Sequence, residues 1–204
     1  MKKYGVIVID PPWAYGKDTG RTRTAEHHYQ TIGHEGGEIN RKTGAGAENI
    51  VVSTPVGDWA AKDCHMYLWV TNPKLPFAFA MLAAWGFEYK TALTWVKTKA
   101  DGTPHGGGMG WFFRGATEHV LLGVKGSKGI PSALRKPNVV LAQPTGHSTK
   151  PVAFYDLLRS IYPEGERMMD AYARTSHARF DSWGLEAPSA SQPPGAATPK
   201  GGEA

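Results

Sequence analysis

The sequence has 204 residues, of which 20% are charged and seven are tryptophan, so its composition excludes a disordered chain and favours one globular domain. Its single cysteine, Cys64, excludes a disulfide within the sequence and a cysteine-based metal site, and it fits a reducing compartment. The net charge of +5 is compatible with a polyanionic partner, but also with a protein that is merely basic.

Neither a membrane span nor a leader peptide is expected. The longest apolar stretch, residues 77–87, is too short to cross a bilayer and is interrupted by Gly86. The first predicted strand begins within a few residues of Met1, which leaves no room for a signal peptide. We therefore expect a soluble cytoplasmic protein that does not bind membranes.

The chain opens with an apolar run at 6–9, whose β-branched residues and lack of alternation predict a buried parallel strand. It ends in a stiff turn, Asp10-Pro11-Pro12-Trp13, at the edge where open α/β sheets bind ligands. Such a turn suits a planar base with an exocyclic amine. Asp10 and the Pro11 carbonyl accept from the amine, and Trp13 stacks on the ring or walls the pocket. The alternative is an ordinary Asp-Pro turn followed by a core tryptophan.

Residues 14–47 show neither helical nor strand periodicity and contain many glycines and several basic residues. Loops of this length are usually functional, so the segment is either a contacting loop or a disordered insertion. Its histidines, His27, His28 and His34, do not form a metal-ligand pattern, because adjacent histidines point apart on a strand and no cysteine or aspartate cluster supports them. We expect no metal.

Strands and helices alternate through the rest of the sequence. Strands are predicted at 65–71, 88–97, 118–124, 139–142 and 167–172; helices are predicted at 73–85, with Asn72 as N-cap and Gly86 as terminator, and at 151–161, capped by Ser148 or Thr149. This alternation predicts an α/β fold with a mainly parallel sheet between two layers of helices. At the carboxyl edge of the sheet we expect four features to meet: the Asp10 turn, the turn at 71–73, a glycine-rich flap at 98–115 and the loop after Tyr172.

Six motifs occur in an order and spacing that resemble one family. They are Asp-Pro-Pro-Trp at 10–13, Trp-Val-Thr-Asn-Pro at 69–73, Thr-Trp-Val-Lys at 94–97, Trp-Phe-Phe-Arg at 111–114 with Glu-His at 118–119, Gly-His-Ser-Thr-Lys-Pro at 146–151, and Asp-Ser-Trp-Gly at 181–184. The set resembles the S-adenosylmethionine-dependent adenine-N6 methyltransferases, which include the catalytic subunit of the eukaryotic mRNA enzyme and bacterial and phage members. The resemblance covers about residues 3–186.

This resemblance implies a circularly permuted Rossmann-like methyltransferase domain at 1–186, followed by a disordered low-complexity tail at 187–204. It also accounts for the lack of a Gly-x-Gly-x-x-Gly motif after the first strand, because the implied cofactor, S-adenosylmethionine, carries no phosphate.

The resemblance also implies roles for individual residues. The catalytic residues are Asp10, Pro11, Pro12 and Trp13. The cofactor-binding residues are Asp10, His147, Lys150, Asp170, Arg174 and Glu186. The substrate-binding residues are Trp13, Tyr15, Asn72, Lys97, Arg114 and Glu118. Arg114 and Glu118 are expected to order the flap, with an ion pair near the site as one means.

Physical chemistry supports some of these roles and leaves alternatives to others. Lys150 precedes the helix at 151–161, where its charge and the helix dipole favour the cofactor carboxylate; the alternative is a solvated lysine. Asp170 suits the two ribose hydroxyls, whereas Arg174 either reaches the ribose, braces Asp170 or lies on the surface. His147 is either a pocket wall or a structural histidine.

One position departs from the family pattern. Leu185 stands where family members have an amide residue that touches the ribose, and leucine cannot make that hydrogen bond. Either the affinity for the cofactor is lower, or Glu186 takes over the contact.

We expect methyl transfer to N6 of adenine in nucleic acid, with DNA favoured over RNA, because the chain resembles the bacterial and phage members that act in a bacterial cytoplasm. A catalytically silent nucleic-acid-binding partner subunit is the alternative; such members have lost the acid-proline-proline signature, which is intact here. Methylation of a small molecule is a third reading, against which the basic loops argue. The recognition sequence, the strand preference and the choice between a homodimer and a heterodimer stay open.

Overall fold

The computed structural model describes residues 3–13, 54–106, 110, 112–146 and 149–184. The predictions for the 14–47 loop, Tyr15, His147, Leu185, Glu186 and the tail lie outside these residues.

The strands are β1 Tyr4–Ile9, β2 Ala60–Val70, β3 Glu88–Lys97, β4 Thr117–Lys125, β5 Val139–Ala142, β6 Met168–Ala171 and β7 Phe180–Trp183. The α-helices are α1 Val56–Trp59, α2 Leu75–Ala84 and α3 Val152–Ile161, and 3-10 turns occur at Asn72–Lys74 and Ser132–Leu134.

The strands form one sheet in the order β5-β3-β4-β2-β1-β6-β7. Every neighbouring pair is parallel except the two pairs made by β4, which runs antiparallel to both β2 and β3. With helices on both faces, this arrangement confirms the predicted three-layer, Rossmann-like methyltransferase fold. The first strand and β6 come from opposite ends of the chain, yet they pair in the sheet.

The core has one layer on each side of the sheet. All six residues of β1 are buried, as the unbroken apolar run predicts for an interior parallel strand. Its alternate side chains serve opposite faces: Ile7 and Ile9 join the cluster on the α2 side, whereas Val6 and Val8 join the cluster on the α3 side. The Asp10 turn is therefore anchored by a strand that is fixed on both faces.

Two predicted helix starts are wrong, and prolines explain both. The N-cap of α3 is Pro151, not Thr149, because the residue before a proline is pushed out of the helical region. Asn72 does not cap an α-helix: Asn72–Lys74 is a 3-10 turn, and α2 begins only at Leu75. Since Pro76 is tolerated only in the first turn of a helix, it fixes that later start.

The sequence did not predict β7, in which the adjacent polar residues Asp181 and Ser182 stand between two aromatic residues. The strand pairs with β6, and the Tyr4 hydroxyl donates to Asp181 at 2.6 Å. Across the described ranges, no helix is long and apolar enough to pass through a bilayer.

Candidate active site

The carboxyl edge of the sheet brings together residues that are far apart in sequence. Asp10 follows β1, Asn72 follows β2, and Lys97 ends β3. Because β4 runs antiparallel, it is the start of β4 that lies at this edge: Thr117 pairs with Val96 of β3. The next residue along β4 is Glu118, so its carboxylate enters the same site.

Four charged side chains alternate in sign at this edge. The Lys150 Nζ lies 2.8 Å from the Asp10 Oδ2 and 3.4 Å from the Glu118 Oε2. The Lys97 Nζ lies 2.6 Å from the other oxygen, Oε1, of Glu118. All four are largely shielded from solvent, so each needs an opposite charge beside it. Lys150 therefore fixes the positions of two carboxylates at once.

The surroundings of Asp10 and Glu118 shift the pKa values of the two carboxyls in opposite directions. Burial raises the pKa of Asp10, and the charge of Lys150 only partly opposes the rise. Burial would also raise the pKa of Glu118, but Lys150 and Lys97 together hold it below its ordinary value. Burial alone would lower the pKa of Lys150, and its two carboxylate partners raise it instead. Asp10 is consequently the more basic of the two acids and the better hydrogen-bond acceptor.

Aromatic rings line the α3 side of the cluster. The Lys150 Nζ lies 5.3 Å from the centroid of the Trp69 ring, and the Lys97 Nζ lies 5.0 Å from that of Trp95. The two indoles meet edge to face, with centroids 6.1 Å apart. Both lysines are thus held by a ring face as well as by carboxylates.

The Asp10–Trp13 turn is held by its own hydrogen bonds. The Trp13 N–H donates to the Pro11 carbonyl at 2.8 Å, and the Trp13 indole donates to the Trp69 carbonyl at 3.1 Å. The Trp13 ring is only 7% exposed and packs in the core on the α2 side. The stacking of this ring on a base stays a prediction. Its position fits the other expected role, that of lining the pocket. The Pro11 carbonyl keeps one lone pair for a further donor.

A third acid, Asp170, lies at the end of β6 and is 2% exposed. Its Oδ2 accepts a hydrogen bond from the Tyr155 hydroxyl at 3.0 Å, and the His177 Nε2 lies 4.0 Å from the same oxygen. The Tyr155 and His177 rings stack with centroids 3.4 Å apart. Burial raises the pKa of Asp170 to about 8; Asp10 adds to the rise, whereas Tyr155 and Lys150 oppose it. This carboxyl therefore changes its charge near neutral pH.

Comparison with known proteins decides the family: the family model described as MT-A70 matches residues 4–186. The chain belongs to the MT-A70 family. It is 31% identical over 198 residues to the type II methyltransferase M.MunI of Mycoplasma sp, a match that covers 92% of this chain and 79% of that protein. It is 27% identical to the human N(6)-adenosine-methyltransferase catalytic subunit METTL3, over 85% of this chain and 26% of that protein. The chain is a methyltransferase, and the resemblance seen in its motifs is confirmed.

Among residues that the MT-A70 resemblance associates with substrate, Asn72 is already engaged by protein. The His119 Nε2 donates to its Oδ1 at 2.6 Å, and its Nδ2 donates to the Thr117 hydroxyl at 3.3 Å. The Thr94 hydroxyl in turn lies 3.1 Å from the His119 Nδ1. In the structure Asn72 joins the end of β2 to the start of β4, and its contact with substrate stays a prediction.

The two arginines lie at the borders of the site. Arg114 is exposed, and the expected ion pair with Glu118 is replaced by the pairs that Glu118 makes with Lys97 and Lys150. The strand register explains the difference, since it places the end of β3 beside Glu118. Arg174 is partly buried and close enough to Asp10 to lower its pKa.

The sequence analysis did not identify Tyr155 and His177 as residues of the site. Tyr155 occupies an apolar position of α3, and its ring is buried in the core. Only the fold shows that its hydroxyl reaches Asp170. In the described part of the chain, no three His, Cys, Asp or Glu side chains are grouped so as to hold a metal ion.

Proposed function

We propose that this chain transfers the methyl group of S-adenosylmethionine to N6 of an adenine in nucleic acid, and that DNA is its preferred substrate. The observation that carries the proposal is the Asp10 carboxylate, held at the carboxyl edge by Lys150 at 2.8 Å. Relatives named N(6)-adenosine-methyltransferase support adenine as the target. The higher identity to the type II methyltransferase M.MunI, 31% against 27% for METTL3, supports DNA.

The residues fit the chemistry of adenine methylation. The amine lone pair of adenine is delocalised into the ring, so the amine is a poor nucleophile. The Asp10 carboxylate and the Pro11 carbonyl can each accept a hydrogen bond from one N–H of the amine. These two bonds would orient the nitrogen lone pair towards the incoming methyl carbon. When bound, S-adenosylmethionine would supply an electrophilic methyl group, and its sulfur would leave as a neutral thioether as the sulfur–carbon bond breaks. Once the nitrogen–carbon bond has formed, the amine has become acidic, and Asp10 accepts the proton that leaves and passes it to water.

One carboxyl of the site also fits the ribose of this cofactor. Tyr155 is bonded to only one oxygen of Asp170, which leaves Oδ1 for a ribose hydroxyl. The role of Lys150 towards the cofactor carboxylate stays a prediction, since the structure pairs this lysine with two acids.

Incubation with labelled S-adenosylmethionine and matched DNA and RNA pools, followed by digestion, tests the proposal. We expect N6-methyldeoxyadenosine from DNA and less product from RNA of the same sequence. A product methylated elsewhere would reject the adenine-N6 assignment, and a larger yield from RNA would reject only the DNA preference. Titration of cofactor onto the isolated chain excludes a silent partner subunit if it saturates.

Binding of S-adenosylmethionine is expected to tighten as the pH rises towards 8. The ribose needs Asp170 as an acceptor, and burial raises the pKa of this carboxyl to about 8. Below that pH the carboxyl is mostly protonated, so affinity should gain roughly tenfold per pH unit and then level off. Calorimetric titration between pH 6.5 and 9 measures this profile.

The control is Asp170→Asn, which cannot ionise and should bind more weakly and with a flatter profile. This comparison also removes the titration of the cofactor's own amine, which occurs near the same pH. Tyr155→Phe should move the profile to higher pH, because the hydrogen bond from Tyr155 lowers the pKa of Asp170. Identical profiles for the wild type and Asp170→Asn would rule out Asp170 as the titrating group.

A further inference from the structure

Two adjacent phenylalanines stand in solvent between β3 and β4. Phe112 is 95% exposed and Phe113 is 89% exposed, whereas the aromatic rings of the core are nearly fully buried. A single exposed ring is ordinary, but two consecutive large rings, both almost fully exposed, indicate a binding role. Neither residue belongs to a core cluster, so their conformation is not explained by folding.

The backbone around them is tightly shaped. A Cβ added at Gly110 would overlap the Phe113 carbonyl oxygen, so only glycine permits the close return of the chain there. After the two rings, the Lys97 N–H donates to the Ala116 carbonyl at 2.8 Å and ties the segment to the end of β3. The Asn72 amide adds a bond to Thr117. The rings are therefore presented by a segment that is fastened at the edge of the active site.

Their distance from the site suits a neighbouring nucleotide. Phe113 precedes Thr117 by four residues, so its Cα lies no more than about 14 Å from the first residue of β4. The next residue, Glu118, belongs to the charged cluster around Lys150. Bases in a duplex strand are spaced by about 3.4 Å, so this bound corresponds to about four base steps from the start of β4.

The charges beside the rings favour nucleic acid over protein. Arg114 follows Phe113 and is exposed; farther back on the same connection between β3 and β4, two exposed residues of opposite charge, Lys99 and Asp101, offset each other. Aromatic rings next to cations form a stacking platform for bases, with the cations free to contact phosphates. Protein partners would need a wider apolar patch than two rings.

We propose that Phe112 and Phe113 stack against the bases beside the target adenine and fill the gap that it leaves in a DNA duplex. The inference rests on the proposed function, because it concerns the same substrate. An adenine that enters the Asp10 site must leave the duplex stack and loses contact with both neighbours. Apolar side chains inserted at the vacated step replace part of that contact. The two phenylalanines are positioning residues and take no part in the chemistry.

The double variant Phe112→Ala/Phe113→Ala tests this role on two duplexes of the same sequence. In one the target adenine faces thymine between two ordinary neighbours, and in the other the two positions beside it on the same strand are abasic, so that it has no stack to leave. We expect kcat/KM to fall by a factor of about 10 to 100 on the fully stacked duplex and by less than about threefold on the unstacked one. An equal loss on both duplexes, or no loss on either, would overturn the proposal.

Two further variants sharpen the result. Phe112→Trp/Phe113→Trp should match the wild type on the stacked duplex, whereas Phe112→Leu/Phe113→Leu should keep only part of the activity, because leucine fills a gap but offers no flat ring. Phe79→Ala removes a surface phenylalanine from α2, where it contacts Tyr89, and should leave both substrates unaffected. If the wild type methylates no adenine in either duplex, the proposed function fails; if it does and the alanine variant matches it, only the stacking role fails.

Discussion

Asp10→Ala is expected to abolish methyl transfer while leaving the fold and cofactor binding in place. The side chain is the acceptor that would orient the adenine amine and take its proton, so its loss should lower kcat by roughly a thousandfold or more. The fold should survive, because the backbone N–H of Asp10 still donates to the Ala171 carbonyl, and Lys150 still has Glu118 as a partner. Methylation rates, cofactor affinity and thermal stability should be measured on the same preparation.

The companion variants separate charge from shape. Asp10→Asn keeps an oxygen that can accept a hydrogen bond but loses the charge and basicity, so it should retain a small residual activity above that of alanine. Asp156→Asn removes an exposed acid that pairs with Arg159 on the surface of α3 and should behave as the wild type. Turnover by Asp10→Ala within tenfold of the wild type would show that another group handles the amine.

Several elements could be predicted because local sequence and tertiary contacts favour the same structure. The predicted bounds of β3 and β5 match the structure at Glu88–Lys97 and Val139–Ala142. In contrast, β7 has two polar residues out of four, and it depends on β6 and on Tyr4 at the other end of the chain. Such a strand is stabilised by distant partners, and its own residues carry little β-signal.

The sequence named residues that the structure brings together, but it did not show how they connect. The family resemblance implied that Asp10 and Lys150 both bind the cofactor, and the structure brings the two side chains into contact. It did not show that Glu118 joins them, because this requires β4 to run against its neighbours. A charged residue at the start of an antiparallel strand has no local signature that tells which edge of the sheet it will reach.

Lys150→Met should therefore do more than weaken cofactor binding. Lys150 lowers the pKa of both Asp10 and Glu118, so its removal leaves two buried carboxylates without the cation they share. An unpaired buried charge costs about 3 kcal/mol or more of folding free energy, or is relieved by uptake of a proton. Because Asp10 acts as a carboxylate, its higher pKa should shift the rise of kcat with pH to higher pH. At pH 7 kcat should fall by a factor of about 100.

The double variant Lys150→Met/Glu118→Gln distinguishes this role from simple contact with the cofactor carboxylate. If Lys150 balances two acids, removing one of them should recover part of the activity and move the pH profile back, a non-additive result that neighbouring charges are expected to give. If Lys150 only binds the cofactor, Lys150→Met should raise the KM for S-adenosylmethionine with no shift of the profile, and Glu118→Gln should make the loss worse. Full pH–rate profiles of the wild type, both single variants and the double variant decide between the two roles, because only charge balance couples Glu118 to the ionisation of Asp10.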